Sequence, residues 1–273
     1  MRVIKAHAYG NDFLLMEASE LPPGVDRPEL ARRICDRHRG IGADGLMIFS
    51  VEEPARDART AEPRAEMRLL NADGSRSEVS GNGVRCLAVL LASRQPGTRE
   101  VVVVTDAGEK RLTLLAREAS RYTFRASMGA PEELREQTLD VLGSPLRVVT
   151  LRVGNPQCVV LGPPTEERLH GIARALATHP AFPEGSNVEL ASVERPDFVR
   201  ILIWERGVGP TWASGTGACA AAVAAAAYGG AARDATIASP GGEQRVEWTD
   251  DGLFLTGWAE LTMDGVWLPG LTG

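Results

Sequence analysis

Short apolar runs bounded by turn residues recur along this chain and read as strands: Leu14-Leu15-Met16, Gly45-Leu46-Met47-Ile48-Phe49, Met67-Arg68-Leu69-Leu70, Val101-Val102-Val103-Val104, Val159-Val160-Leu161 and Val199-Arg200-Ile201-Leu202-Ile203-Trp204. Longer stretches with helical spacing fall over 27–37, 83–93, 165–178 and 217–228. The run from Gly217 through Ala227 has no polar face, which predicts a helix buried on every side whose small side chains let strands approach closely. Residues 84–91 are nearly as apolar apart from Arg85. The pattern is that of a mixed α/β (α+β) protein in which each half is a curved sheet wrapped around one central helix. Residues 52–66, rich in Glu, Arg, Ala and Pro, read as an exposed loop between two strands.

The two predicted apolar helices open on the same small device, Ser80-Gly81-Asn82-Gly83 in the first half and Ser214-Gly215-Thr216-Gly217 in the second. Asn71 and Glu205 each stand nine positions before one of these serines, at the end of an apolar strand, and a Gly-Asn pair occurs early in each half, at Gly10-Asn11 and Gly154-Asn155. Strand, polar tip, loop, serine, glycine turn and helix therefore occur twice in one order. The turn chemistry of Met128-Gly129-Ala130-Pro131 sets the expected boundary, giving domains over 1–127 and 128–262, with a tail over 263–273 that returns to the first. A helix start exposes unpaired backbone N–H groups and the positive end of the helix dipole. Two such starts facing each other are expected to hold one carboxylate of a small anionic substrate.

Composition narrows the class. With 44% hydrophobic and 24% charged residues the chain has the balance of a globular protein. A net charge of −6 with scattered arginines argues against nucleic acid as a partner. The opening residues, Met1-Arg2-Val3-Ile4-Lys5-Ala6-His7, lack the apolar run of a signal peptide, and no stretch has the length and composition of a membrane span, so the expected location is cytoplasmic. Cys35, Cys86, Cys158 and Cys219 lie far apart with no metal-binding spacing, which reads as reduced structural thiols and implies no metal.

Several motifs in order, Gly10-Asn11-Asp12-Phe13, Gly42-Ala43-Asp44-Gly45, Asn71-Ala72-Asp73-Gly74-Ser75, Gly81-Asn82-Gly83-Val84-Arg85-Cys86, Gly154-Asn155-Pro156, Asn187-Val188-Glu189, Glu205-Arg206-Gly207 and Gly215-Thr216-Gly217-Ala218-Cys219, resemble the diaminopimelate epimerase family over essentially the whole length. The resemblance implies two pseudo-symmetric domains with mostly antiparallel sheets, closing on an amino acid. It also implies a two-base inversion at the α-carbon of LL-diaminopimelate to the meso form, in lysine and cell-wall precursor synthesis, with no pyridoxal phosphate or other cofactor, and a homodimer. Carried onto matching positions, Asn11, Asn71, Asn155, Asn187 and Arg206 would recognise the distal end of the substrate, Gly81-Asn82 and Gly215-Thr216 would hold the reacting carboxylate, and Glu205 would contact the amino group and support the base beside it. Arg offers a planar fork to a carboxylate, and Asn carries both donor and acceptor.

The chain departs from that pattern where the chemistry is sharpest. The family's two acid–base residues are cysteines, and those positions hold Ser80 and Ser214. A thiol ionises at about 8.5, within reach of neutral pH near a helix start, whereas a hydroxyl works only when an adjacent base takes its proton. The family's His after Gly-Asn-Pro is Gln157, and a family Glu is Pro210. The Ser214 side keeps Glu205, so the chemistry is expected to be lopsided. Beside epimerisation stand two other readings: one-sided proton removal by Glu205 with Ser214 on another amino or hydroxy acid, and a relative that binds its ligand without turning it over.

Overall fold

The computed structural model describes residues 1–52, 62–77 and 80–268. Its chain divides into two compact units, one of residues 1–126 and 258–273, the other of residues 127–257. In the first unit the strands are β1 (Arg2–Ala8), β2 (Asn11–Glu17), β3 (Gly45–Val51), β4 (Arg64–Asn71), β5 (Arg76–Ser77), β6 (Glu100–Thr105) and β7 (Gly108–Glu118), with helix α1 (Arg27–Cys35) between β2 and β3 and helix α2 (Gly81–Arg94) between β5 and β6. β8 (Arg121–Gly129) runs from the first unit into the second.

The second unit holds β9 (Glu132–Val141), β10 (Ser144–Val153), β11 (Asn155–Leu161), the short helices α3 (Glu166–Arg168) and α4 (Arg174–Ala177), β12 (Asn187–Arg195), β13 (Phe198–Glu205) and β14 (Gly209–Thr211). Helix α5 (Gly215–Tyr228), β15 (Asp234–Ser239) and β16 (Gly242–Thr249) follow, and β17 (Gly252–Val266) carries the chain back into the first unit.

The internal duplication is visible in the ladders. β1–β2, β3–β4, β4–β5, β6–β7 and β7–β8 are antiparallel and β2–β3 and β4–β6 parallel. The second unit repeats this order with β10–β11, β12–β13, β13–β14, β15–β16 and β16–β17 antiparallel and β11–β12 and β13–β15 parallel. The end of β17 pairs with β1, as β9 pairs with β10. Each parallel step needs a crossover. The first is made by α1 in one unit and by α3–α4 in the other, the second by α2 and by α5.

Each unit packs one long apolar helix on one face of its sheet and shorter helical segments on the other. α2 packs on β1, β2, β6 and β7, and α5 on β10 to β13, β15 and β16. The α5 alanines from Ala218 to Ala225 and Val223 join Val149, Val159, Ile201, Ile237, Val246 and Leu255 in one apolar cluster, while Ala226 and Ala227 at the end of the helix, expected to be buried, reach the surface. α1 covers the other face of the first sheet with Leu30, Ala31, Ile34 and Cys35. Leu169, Ala173, Leu176 and Ala177 do the same for the second. The helix predicted over 165–178 is interrupted by a π turn over Leu169–Ala173. No helix of the described residues is long and apolar enough to cross a membrane.

The loop expected over 52–66 needs correction at its end. Residues 53–61 lie outside the described residues, but 64–66 belong to β4, whose pattern buries Ala65 and Met67 while Arg64, Glu66 and Arg68 turn outward. The Glu and Arg residues are the wet face of a strand, joined in surface pairs such as Arg64 with Glu52 and Glu109. Alternation with small inward residues does not stand out in a charged stretch.

Candidate functional site

In the first unit the candidate residues gather where β2 begins, β4 ends and α2 begins. Ser80 is the N-cap of α2, with extended φ −130° and ψ 121°, and its hydroxyl accepts the Gly83 N–H at 3.1 Å. The next turn is held by a side-chain chain. Asn11 Nδ2 donates to Asp44 Oδ2 at 2.7 Å, Asn82 Nδ2 donates to Asn11 Oδ1 at 3.2 Å, and the Arg85 guanidinium donates to Asn82 Oδ1 while lying 5.7 Å over the Tyr9 ring. Arg85 and Asn82 are both buried, so these hydrogen bonds at the helix start are shielded from water.

Asp44 was not singled out in the sequence, yet it ties the corner together. It accepts the Asp12 N–H at 3.0 Å, its carbonyl accepts the Ala72 N–H at 3.0 Å, and Arg37 bridges it to Asp12 at 2.8 and 2.7 Å. Asn71 closes its own turn, donating Nδ2 to Ser75 Oγ at 2.9 Å. Burial pushes the Asp12 carboxyl up, but hydrogen bonds from Arg37 and Lys5 outweigh it and hold it below the usual 3.8. Its contribution to stability is therefore present above that value and lost as pH falls through the lowered one. Asp12→Asn is expected to cost about 2 kcal/mol in urea unfolding at pH 7 and to approach the parent at pH 3.

The second unit repeats the arrangement. Ser214 caps α5 with φ −136° and ψ 132°, accepting the Gly217 N–H at 3.2 Å, and its hydroxyl lies 3.4 Å from Thr216 Oγ1. Asn155 opens β11, Asn187 opens β12 and Glu205 closes β13, so the three polar tips fall at one end of three neighbouring strands. Asn187 Oδ1 accepts the Arg206 N–H at 2.8 Å and thereby fixes the backbone just after Glu205; the Arg206 guanidinium reaches the Glu184 carbonyl at 2.7 Å. Gln157, next to Asn187 across the ladder, donates Nε2 to Asn155 Oδ1, while its Oε1 is buried without a donor. Pro210 pairs with Trp204 in the short β14 ladder.

Both serines thus do a structural job that a thiol does poorly, since Ser is among the preferred N-caps. The four cysteines are buried and form no disulfide. Burial pushes the Cys35 thiol up to about 12 and those of Cys86 and Cys158 higher, far from a reactive thiolate. Among the described residues no group of three His, Cys, Asp or Glu side chains stands together as metal ligands would.

One acidic residue of a quoted motif has no role assigned to it from sequence. Glu189 is 0% exposed on the α5 face of β12. Neither of its carboxyl oxygens has a hydrogen-bond partner. Burial first, and the charge of Glu205 second, push it well above the usual carboxyl value. The family motif Asn187-Val188-Glu189 contained it, but in sequence a Glu between two apolar residues is indistinguishable from one turned to water.

A sequence profile described as diaminopimelate epimerase matches residues 3–133 and 149–262. The diaminopimelate epimerase of Desulforudis audaxviator is 38% identical over 287 residues, covering 98% of this chain and 99% of its own, and that of Desulfitobacterium hafniense is 37% identical, covering 98% of each. Among solved structures, a probable proline racemase from Agrobacterium radiobacter with bound carbonate has a TM-score of 0.71 at 16% identity, covering 99% of this chain and 94% of its own. A hydroxyproline epimerase from Agrobacterium vitis with bound trans-4-hydroxy-L-proline has a TM-score of 0.66 at 16% identity, covering 97% and 90%. At that identity the two structures speak for the fold.

Proposed function

The chain belongs to the diaminopimelate epimerase family, and from that membership we propose that it is an isomerase inverting the α-carbon of LL-diaminopimelate to the meso form, with its own side chains as acid and base. The observation that supports this most is the gathering of Asn155, Asn187, Glu205 and Arg206 at one end of β11, β12 and β13 beside the start of α5. Asn11, Asn71, Asn155, Asn187 and Arg206 recognise the distal ammonium and carboxylate. Asn71 and Asn187 each commit half of their amide to the protein, which leaves Oδ1 of the first and Nδ2 of the second for the ligand. The N–H groups of Gly81-Asn82 and Gly215-Thr216 hold the reacting carboxylate. Synthesis of lysine and cell-wall precursors, a cytoplasmic location and a homodimer belong to the same proposal.

Ser80 and Ser214 take the places of the acid–base pair. On the Ser214 side the α-proton passes to Oγ as the hydroxyl proton passes to a carboxylate beside it, the Glu205 charge supports that transfer, and the C–H electron pair stays on carbon. Glu205 also meets the substrate ammonium. Epimerisation is preferred to one-sided elimination or ligand storage because both sequence relatives named above, matched over nearly their full length, are named diaminopimelate epimerase. Purified protein incubated with LL-diaminopimelate in heavy water is expected to take up α-deuterium and yield the meso form. No uptake and no product would exclude this substrate. Glu205→Gln is expected to slow uptake at least about tenfold; unchanged uptake would remove Glu205 from the chemistry.

A further inference from the structure

Glu189 is the third residue of β12, with Val159 and Ile203 as its neighbours on the adjoining strands, on the face of the sheet that the alanines of α5 cover. The notch it fills exists because Gly217 has no side chain. A Cβ built on Gly217 would lie 2.6 Å from Glu189 Oε1 and 3.2 Å from Ser214 Cβ. The carboxyl and the capping serine therefore flank the same point, under the first turn of α5.

The first unit shows that the fold makes no demand for an acid here. Met47 is the third residue of β3, paired with Leu15 and Leu69 as Glu189 is with Val159 and Ile203, and a Cβ on Gly83 would meet Met47 Sδ at 3.2 Å and Ser80 Cβ at 3.3 Å. A thioether fills one notch and a carboxyl the other. A buried polar group without hydrogen bonds costs free energy that an apolar residue avoids. The carboxyl is thus a local expense without a packing return, as at sites where function overrides stability.

We propose that Glu189 is a buried positioning acid for the Ser214 side, holding one proton in the resting site and passing it through the Ser214 hydroxyl to the α-carbon. This rests on the epimerase reading above. The Glu189 O–H bond breaks as its proton moves to Ser214 Oγ, directly after a small rotation in the notch or over one water. The Ser214 hydroxyl proton moves to the carbanion, whose electron pair forms the new C–H bond. Glu189 is left as carboxylate and regains its proton when the step runs backward or from solvent. The titratable groups around it are few: Glu205 from β13, the Cys158 thiol from β11 and the Cys219 thiol from α5, with neutral Gln244 from β16 near the Ser214 carbonyl. Burial first and the neighbouring Glu205 charge second favour the proton on Glu189. Run backward, the same step carries the α-proton to Ser214 Oγ and the hydroxyl proton to the Glu189 carboxylate, so removal and return on this side share one path.

The test uses the full chain, the variant Glu189→Gln, LL-diaminopimelate in heavy water across pH, and difference infrared spectroscopy at pH 7. Glu189→Gln is expected to fold, because an amide is the neutral isostere of a neutral acid. It should lower kcat at least about tenfold with little change in KM, and abolish the alkaline limb that the parent shows as Glu189 loses its proton. The parent spectrum should carry a protonated-carboxyl stretch that the variant lacks. Parent kcat and pH profile in the variant, a variant that cannot fold, or a parent spectrum without that band would each overturn the proposal. A parent that exchanges no α-proton sinks the epimerase reading instead, and the infrared band still decides whether the buried carboxyl holds its proton.

Discussion

Replacing Ser80 and Ser214 by cysteine together with Gln157→His is expected to raise turnover of LL-diaminopimelate about 10²-fold or more, the range that a well-matched acid or base supplies. A thiol near pKa 8.5, lowered further at a helix start, is partly ionised at neutral pH, whereas a serine hydroxyl needs concerted help in each proton transfer. Both positions are N-caps whose backbone already holds the extended angles a cap requires, so the thiols enter without moving the chain. At position 157 an imidazole N–H replaces the bond that Gln157 makes to Asn155, and the second ring nitrogen takes the place of an amide oxygen that has no donor. The exchange has a cost in stability. Each lost serine cap is worth about 1 kcal/mol, so the triple variant should melt lower by about 4–8 °C while working faster. Kinetic assay and calorimetry on the same preparation check both halves. If turnover stays at the parent level, the substrate pocket itself has diverged, and Pro210 on the β14 edge beside Glu205 is the first place to look.

The parts of this site that are legible in sequence are those made by local chemistry. Ser80 and Ser214 announce their caps because a serine followed by a glycine turn and an apolar run has few other uses, and the helices begin at Gly81 and Gly215, within two residues of the predicted starts. The duplicated order of Asn11, Asn71 and Ser80 against Asn155, Glu205 and Ser214 is legible for the same reason. What depends on register is hidden. Glu189 and Arg85 are buried by the neighbours that pairing brings to them, and a side chain's own residue type gives no sign of that. The strands β7 and β9, which carry Arg, Lys and Glu on a wet face, lack the apolar runs that mark β3 or β13 and give no strand signal in sequence. Asp44 acts through a carbonyl, a carboxylate and Arg37 at once, a role that only the folded corner defines.

The paired substitutions Gly217→Ala and Gly83→Ala should separate sharply although the two glycines occupy the same step of the duplicated fold. In both helices alanine gains about 0.5–1 kcal/mol over glycine in the unfolded-chain balance. At Gly83 the new methyl meets the sulfur of Met47, an adaptable side chain that gives by a few tenths of an ångström, so the net change should stay within about 1 kcal/mol. At Gly217 it would lie 2.6 Å from Glu189 Oε1, and the carboxyl is enclosed by Val159, Ile203 and the helix, so overpacking should cost about 3 kcal/mol. Denaturant unfolding of the two single variants reads the difference. Truncating the acid as well makes the result specific: Gly217→Ala with Glu189→Ala should be more stable than the sum of the single changes, with a coupling of about 1 kcal/mol or more. Additive costs, or a Gly217→Ala protein as stable as the parent, would mean that the carboxyl does not occupy the notch beside Ser214, and a proton held there would have no path to the hydroxyl.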